Sequence, residues 1–220
     1  MSKERTRVFI VDDHPMMREL LADYLRLQAD LEIIGEAEAP GPALAAMEAD
    51  PPDLAVVDLT LRQGSGLDLI KDLKVRLPGV QVVVLSMREE ITDLERAFRA
   101  GARGYVMKRE STGQILQAIR SVRSGQIFAN SEALAQLAAR SMERRGGDSD
   151  DPAEILSDRE LEVFRRLGAG ESTRGIAAAL GVSLKTVQTY CDRIKDKLGL
   201  DDSRELSRTA YRWHESRRGP

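Results

Sequence analysis

Three carboxylates, a hydroxyl and an amine stand at the ends of apolar runs in the first half of the sequence. Asp12 and Asp13 follow "RVFIV", Asp58 follows "DLAVV", Ser86 closes "VQVVVLS" and Lys108 closes "GYVMK". An ionised carboxylate beside buried apolar residues is expensive unless something neutralises it. Three carboxylates and an ammonium suit a hard cation together with a phosphoryl group, because Mg²⁺ takes oxygen ligands in octahedral geometry and commonly shares them with phosphate. Asp58 is then a nucleophile, since carboxylates form acyl-phosphates. The cation would neutralise charge as the phosphoryl group moves. Taken singly, each residue is an ordinary strand-end turn former or helix cap. Five of them at matching strand ends are not explained that way.

Bringing the five together requires a particular framework. Strand-like and helix-like segments alternate from Arg7 to about Arg123. "RVFIV", "LEIIGEA", "DLAVVDL", "VQVVVLS" and "GYVMK" read as strands. Between and after them lie helical patterns: one opened by Pro15, then "GPALAAMEAD", "GLDLIKDLKVR", "EEITDLERAFRAGA" and "TGQILQAIRSVRSG". Five such units predict an α/β fold, a five-stranded parallel sheet with helices on both faces; in the doubly wound, flavodoxin-like order 2-1-3-4-5, strands one and three are neighbours. In open sheets of this kind ligands bind outside the carboxyl ends of the strands, at the switch point between strands one and three. The five polar residues all fall on that rim.

The strand signal stops after about Arg123, and from Leu156 onward the pattern predicts four short helices, near 157–168, 172–180, 183–198 and 203–213. Three regions follow: residues 5–124, a linker 125–153 with a helix near 131–143, and a second, all-α domain at 154–217. "RRGGDSDD" marks the linker as polar and glycine-containing. Net charge is −3, unevenly spread. From Glu154 onward there are 13 Lys+Arg against 11 Asp+Glu, and before it 20 against 25. That asymmetry permits a nucleic-acid-binding tail without demonstrating one. No stretch approaches the roughly 18 apolar residues of a membrane span, so no membrane partner is expected. The single cysteine fits a reducing compartment, and the cytoplasm is the expected location.

Residues 7–123 resemble a two-component receiver domain, on the motifs "VDDHP", "VVDLTL", "VVVLSM" and "GYVMK". The resemblance implies that Asp58 is the phosphoacceptor and Asp13 a direct Mg²⁺ ligand. It gives Asp12 a ligand role through water and completes the protein's share of the coordination with the Thr60 backbone carbonyl. Ser86 becomes the switch hydroxyl, Lys108 the partner of the phosphoryl oxygen and Tyr105 the aromatic that changes rotamer. The chain departs from the family at Arg62, four residues after the acceptor, where such domains usually carry Pro. A more mobile loop or a contact with a kinase would each account for Arg62. His14, a lone histidine in a loop, reads as solvated.

In the second domain Ser172 and Ser183 read as helix caps, and Gly181 as a left-handed helix stop. Val187, Cys191, Ile194 and Leu198 form a buried stripe, which makes Cys191 a packed core thiol. Two helices joined by a tight glycine turn form a helix-turn-helix, whose second helix enters the major groove. Residues 156–213 resemble the LuxR-type helix-turn-helix found behind receivers in the NarL/FixJ family. The matches include Leu156, Glu160, Gly170, Ile176, Leu180, Ser183, Thr186, Val187, Ile194, Lys197 and Leu198. Lys185, Thr186, Gln188, Thr189 and Arg193 are the candidate DNA contacts. Lys185 and Arg193 suit phosphates and Gln188 suits adenine. Tyr190 stands where His is frequent. Asp192 stands where a basic residue is common, so it must face a cytosine amino group or lie outside the interface.

The expected function is that of a two-component response regulator. It accepts a phosphoryl group on Asp58 from a sensor histidine kinase and regulates transcription by sequence-specific DNA binding. Beyond its own phosphorylation and slow dephosphorylation it is not an enzyme. A homodimer on activation and RNA polymerase are the further partners, and residues 185–193 are expected to be partly masked before phosphorylation. The alternatives are a Mg²⁺-dependent phosphohydrolase, for which no cap insertion is visible, and a receiver whose helical tail binds protein or RNA.

Overall fold

The computed structural model describes residues 5–87, 91–143 and 151–217. In chain order the first unit contains β1 (Thr6–Val11), α1 (Pro15–Arg26), β2 (Leu31–Ala37), α2 (Pro40–Ala49), β3 (Leu54–Asp58), α3 (Gly66–Arg76), β4 (Gln81–Ser86), α4 (Ile91–Ala100), β5 (Gly104–Met107), α5 (Thr112–Arg123) and α6 (Ser131–Glu143). The second contains α7 (Pro152–Ile155), α8 (Asp158–Gly168), α9 (Thr173–Leu180), α10 (Leu184–Leu198) and α11 (Ser203–Arg217). Contacts divide the chain into Met1–Arg145 and Gly146–Pro220.

The sheet is parallel, in the order β2-β1-β3-β4-β5. Successive strand residues point to opposite faces, and both faces are covered, so the strands are apolar throughout. Val8, Ile10, Val56 and Val83 pack under α1 and α5 with Leu21, Leu25, Ile115 and Ile119. Phe9, Val11, Val57 and Val84 pack under the other helices with Met47, Ile70, Leu73 and Leu94. Asp58 pairs in register with Leu85, and Val84 with Tyr105. The ends of β1, β3, β4 and β5 therefore share one rim.

Helix α6 packs on α4, and its Ala133 and Leu137 rest on the cluster that contains Leu94, Tyr105 and Met107. A cavity of about 250 Å³ lies beside them, lined by Ile91, Tyr105, Met107, Glu110 and Asn130 among others.

In the second unit Leu161, Phe164, Ile176, Leu180, Val187, Ile194, Leu206 and Ala210 form the core. Ser157 and Glu160 close a capping box at the start of α8, which satisfies two orphan N–H groups reciprocally. Gly181 and Gly199 end α9 and α10 in the left-handed conformation, which a Cβ disfavours. The sequence reading contains no counterpart of α7. Asp151 caps it and accepts a hydrogen bond from Trp213 Nε1 at 2.9 Å, and Ala153 is buried. Residues 144–150, most of the polar "RRGGDSDD" stretch, lie outside the described residues.

Candidate functional site

Asp12, Asp13 and Asp58 arrive from the ends of β1 and β3 and are all buried, as their neighbours Val11 and Val57 require. Lys108, just past β5, places Nζ 2.7 Å from Asp58 Oδ2 and 2.7 Å from Asp12 Oδ2. Its side chain is only 5% exposed. The Thr60 N–H donates to Asp58 Oδ1 at 2.9 Å, which leaves the acceptor side chain held at both oxygens. Burial pushes the Asp58 carboxyl up to about 6, against the opposing pull of Lys108 and the Thr60 N–H. Burial alone would lower Lys108, but Asp58 and Asp12 more than offset it and raise it.

Asp12, Asp13, His14 and Asp58 offer ligand atoms that all lie within 4.8 Å of one another. Asp12 Oδ2 and Asp13 Oδ1 are buried without a hydrogen-bond partner. Lys108 approaches the first without hydrogen-bond alignment. Three carboxylates against one buried ammonium, with lone pairs unsatisfied, fit a hard divalent cation.

His14 is exposed, as expected of a loop histidine, but its ring also reaches the carboxylates. Its ring is half-exposed, with Nδ1 2.9 Å from Asp13 Oδ1 and 3.1 Å from Asp12 Oδ1. The cause is local: its backbone N–H donates to Asp12 Oδ1 at 2.9 Å, folding the loop so that the ring leans over the carboxylates. Arg62 also reaches the pocket, through a backbone N–H to Asp13 Oδ2 at 2.8 Å. Neither contact had a signal in the sequence beyond proximity to the motifs.

Ser86 is buried at the end of β4, one residue past the register partner of Asp58. Tyr105 is buried on the face that α6 covers. The structure thus gathers Asp12, Asp13, Asp58 and Lys108 into one pocket, with Thr60 bonded to it.

On α10, Val187 and Ile194 face the core while Lys185, Gln188, Thr189 and Arg193 are exposed. Thr186 is half-buried, and its hydroxyl lies 2.8 Å from the capping hydroxyl of Ser183. Thr189 Oγ1 donates back to the Lys185 carbonyl at 3.0 Å. Asp192 is exposed and ion-pairs with Lys195 at 3.0 Å. Cys191 is half-buried against the core, and burial raises its thiol pKa.

Comparison with known proteins matches both units. Residues 8–120 match the response regulator receiver domain, and residues 154–210 the bacterial regulatory proteins of the luxR family. The chain is 33% identical over 195 residues to the DNA-binding transcriptional activator DevR/DosR of Mycobacterium tuberculosis, covering 89% of each. It is 32% identical over 196 residues to the response regulator protein VraR of Staphylococcus aureus, covering 89% of this chain and 91% of that one. Among solved structures, a two-component response regulator of the LuxR family from Aurantimonas superposes with a TM-score of 0.59 at 25% identity. That match covers 63% of this chain and 99% of the other. Among the described residues no helix is long and apolar enough to cross a membrane. The chain belongs to the two-component response regulators that join a receiver domain to a LuxR-type helix-turn-helix domain.

Proposed function

We propose that the chain takes a phosphoryl group from a sensor histidine kinase onto Asp58 and, in response, acts on transcription through α10. The observation that carries this reading is the convergence of Asp12, Asp13, Asp58 and Lys108 from three strand ends into one buried pocket. In this reading Asp58 Oδ1 or Oδ2 attacks the phosphorus in line with the departing group of the donor. Lys108 lets go of part of its hold on the carboxylate and pairs with a phosphoryl oxygen. Asp13 and Asp58 would hold Mg²⁺ directly and Asp12 through water, with the Thr60 carbonyl completing the protein's share. The bound ion supplies charge neutralisation during transfer.

The phosphoryl oxygens are strong acceptors that draw in the Ser86 hydroxyl. Tyr105 turns into the space this opens, biasing a two-state surface at α4 and β5. Because α6 covers that surface, the change reaches the segment leading to the second unit. Phosphorylation favours a homodimer, matching the two-fold half-sites that helix-turn-helix dimers read. Lys185 and Arg193 contact phosphates; Thr186, Gln188 and Thr189 lie toward bases. DevR/DosR, named as a DNA-binding transcriptional activator, supports a role in transcription here, with RNA polymerase as a further partner.

The test is a genome-wide map of DNA occupancy for the wild type and for Asp58→Asn. Discrete promoter sites that weaken in Asp58→Asn support the reading. Absence of sites for either protein, with capture of RNA instead, would support the tail-binding alternative.

A further inference from the structure

Arg62 sits on the loop after β3, four residues beyond Asp58. Its backbone N–H donates to Asp13 Oδ2 at 2.8 Å. Its guanidinium Nε lies 3.5 Å from that same oxygen. The two side chains stand in opposite surroundings: that of Asp13 is 6% exposed and that of Arg62 is 70% exposed. An exposed cation therefore reaches inward and rests its charge on a buried carboxylate at the mouth of the pocket.

The other charges in the pocket are already committed. Lys108 lies between Asp58 and Asp12 and divides its charge between those two carboxylates. The second oxygen of Asp13 lacks a hydrogen-bond partner and has the half-exposed His14 ring as its neighbour. Among the described residues Arg62 is the full positive charge paired with Asp13. A divalent cation on Asp13 would meet that charge within a few ångströms, where like charges repel appreciably near a protein surface.

We propose that Arg62 is a built-in counter-charge that competes with the divalent cation for Asp13 and so weakens metal binding in the phosphoryl-acceptor pocket. This inference rests on the Mg²⁺ reading above. Arg62 acts through Asp13 and is a positioning residue, touching neither the phosphoryl group nor the acceptor. Its effect is bounded: an ion pair with one exposed partner contributes little, so removing it should tighten metal binding about three- to fivefold. Because the guanidinium is exposed, added salt should screen it.

The measurement is Mg²⁺ affinity of the full-length protein by calorimetric titration at neutral pH, without phosphoryl donor. Wild type, Arg62→Gln, Arg62→Met and Arg62→Lys are compared, with Asp13→Asn as the control that removes the site. The expected result is that Arg62→Gln and Arg62→Met bind about three- to fivefold tighter while Arg62→Lys stays near wild type. The gap should shrink as salt is raised from about 0.05 M to about 0.5 M. Saturable wild-type binding with Arg62→Gln and Arg62→Met unchanged or weaker overturns the inference and leaves the Mg²⁺ reading standing. Absence of saturable binding in wild type and in all Arg62 variants overturns both.

Discussion

Lys108 Nζ donates to Asp58 Oδ2 at 2.7 Å, joining the end of β5 to the end of β3 across fifty residues of sequence. Both side chains are buried, and Lys108 also compensates Asp12 at 2.7 Å. Breaking a buried pair by removing one partner leaves an uncompensated charge. Lys108→Ala should therefore lower the stability of the first unit by roughly 3 kcal/mol. Adding Asp58→Asn should recover a substantial part of that loss, since one of the stranded charges is then gone. Urea unfolding of the two single variants and the double variant closes the cycle. Strict additivity would show that the pair is not coupled.

Gly66 opens α3 directly beneath the acceptor. A Cβ there would lie 2.1 Å from the Asp58 carbonyl oxygen and 2.8 Å from Leu59 Cα, both backbone atoms that cannot swing aside. Gly66→Ala should destabilise the first unit by about 1–3 kcal/mol and slow phosphorylation by displacing the end of β3. A variant that unfolds and phosphorylates like wild type would mean that the helix start yields freely.

Glu160 carries a pH dependence for the second unit. Burial alone would raise its carboxyl, but Lys197 at 2.6 Å and the Ser157 N–H outweigh burial and hold it below its ordinary 4.5. A depressed carboxyl means that the unfolded chain binds protons more readily. The contribution is therefore present above pH 4.5 and lost as pH falls through the folded-state value. Lys197→Ala should be less stable by at most about 1 kcal/mol near pH 7, since the Lys197 side chain is partly exposed, and the gap should close as the medium is acidified past the ordinary glutamate range. Trp213 is the one tryptophan of the chain and packs edge-on against Phe164 at 5.7 Å, so its fluorescence follows this unit alone. A gap that is independent of pH would assign Lys197 no role through Glu160.

Helix α6 rests on the cluster containing Tyr105, which gives the proposed switch a physical readout. Phosphorylation should change amide exchange in residues 131–139 of the wild type. Ser86→Ala should still accept phosphate but leave that exchange unchanged. If α6 responds equally in Ser86→Ala, the route does not pass through the hydroxyl.

Much of this was legible because periodicity and strand-end chemistry are local signals. The runs ending at Val11, Val57, Ser86 and Met107 marked the strands, and the doubly wound order of such sheets then implied the meeting of Asp12, Asp13, Asp58 and Lys108. The contacts of His14 and Arg62 were not legible, since they depend on how two loops fold back over the pocket. The docking of α6 was equally hidden: "SEALAQLAAR" shows an apolar face but not what covers it. The short α7 escaped because one turn carries no period, and its anchor, the Asp151–Trp213 hydrogen bond, spans sixty-two residues.

The central claim is that Asp58 is the phosphoacceptor, and the direct test is to incubate the full-length protein with acetyl phosphate and Mg²⁺ and map the modification by mass spectrometry. The account predicts one phosphoryl group, on Asp58, formed only with the divalent ion and absent from Asp58→Asn. A phosphoryl group placed on any other residue of the wild type, or retained in Asp58→Asn, would contradict it.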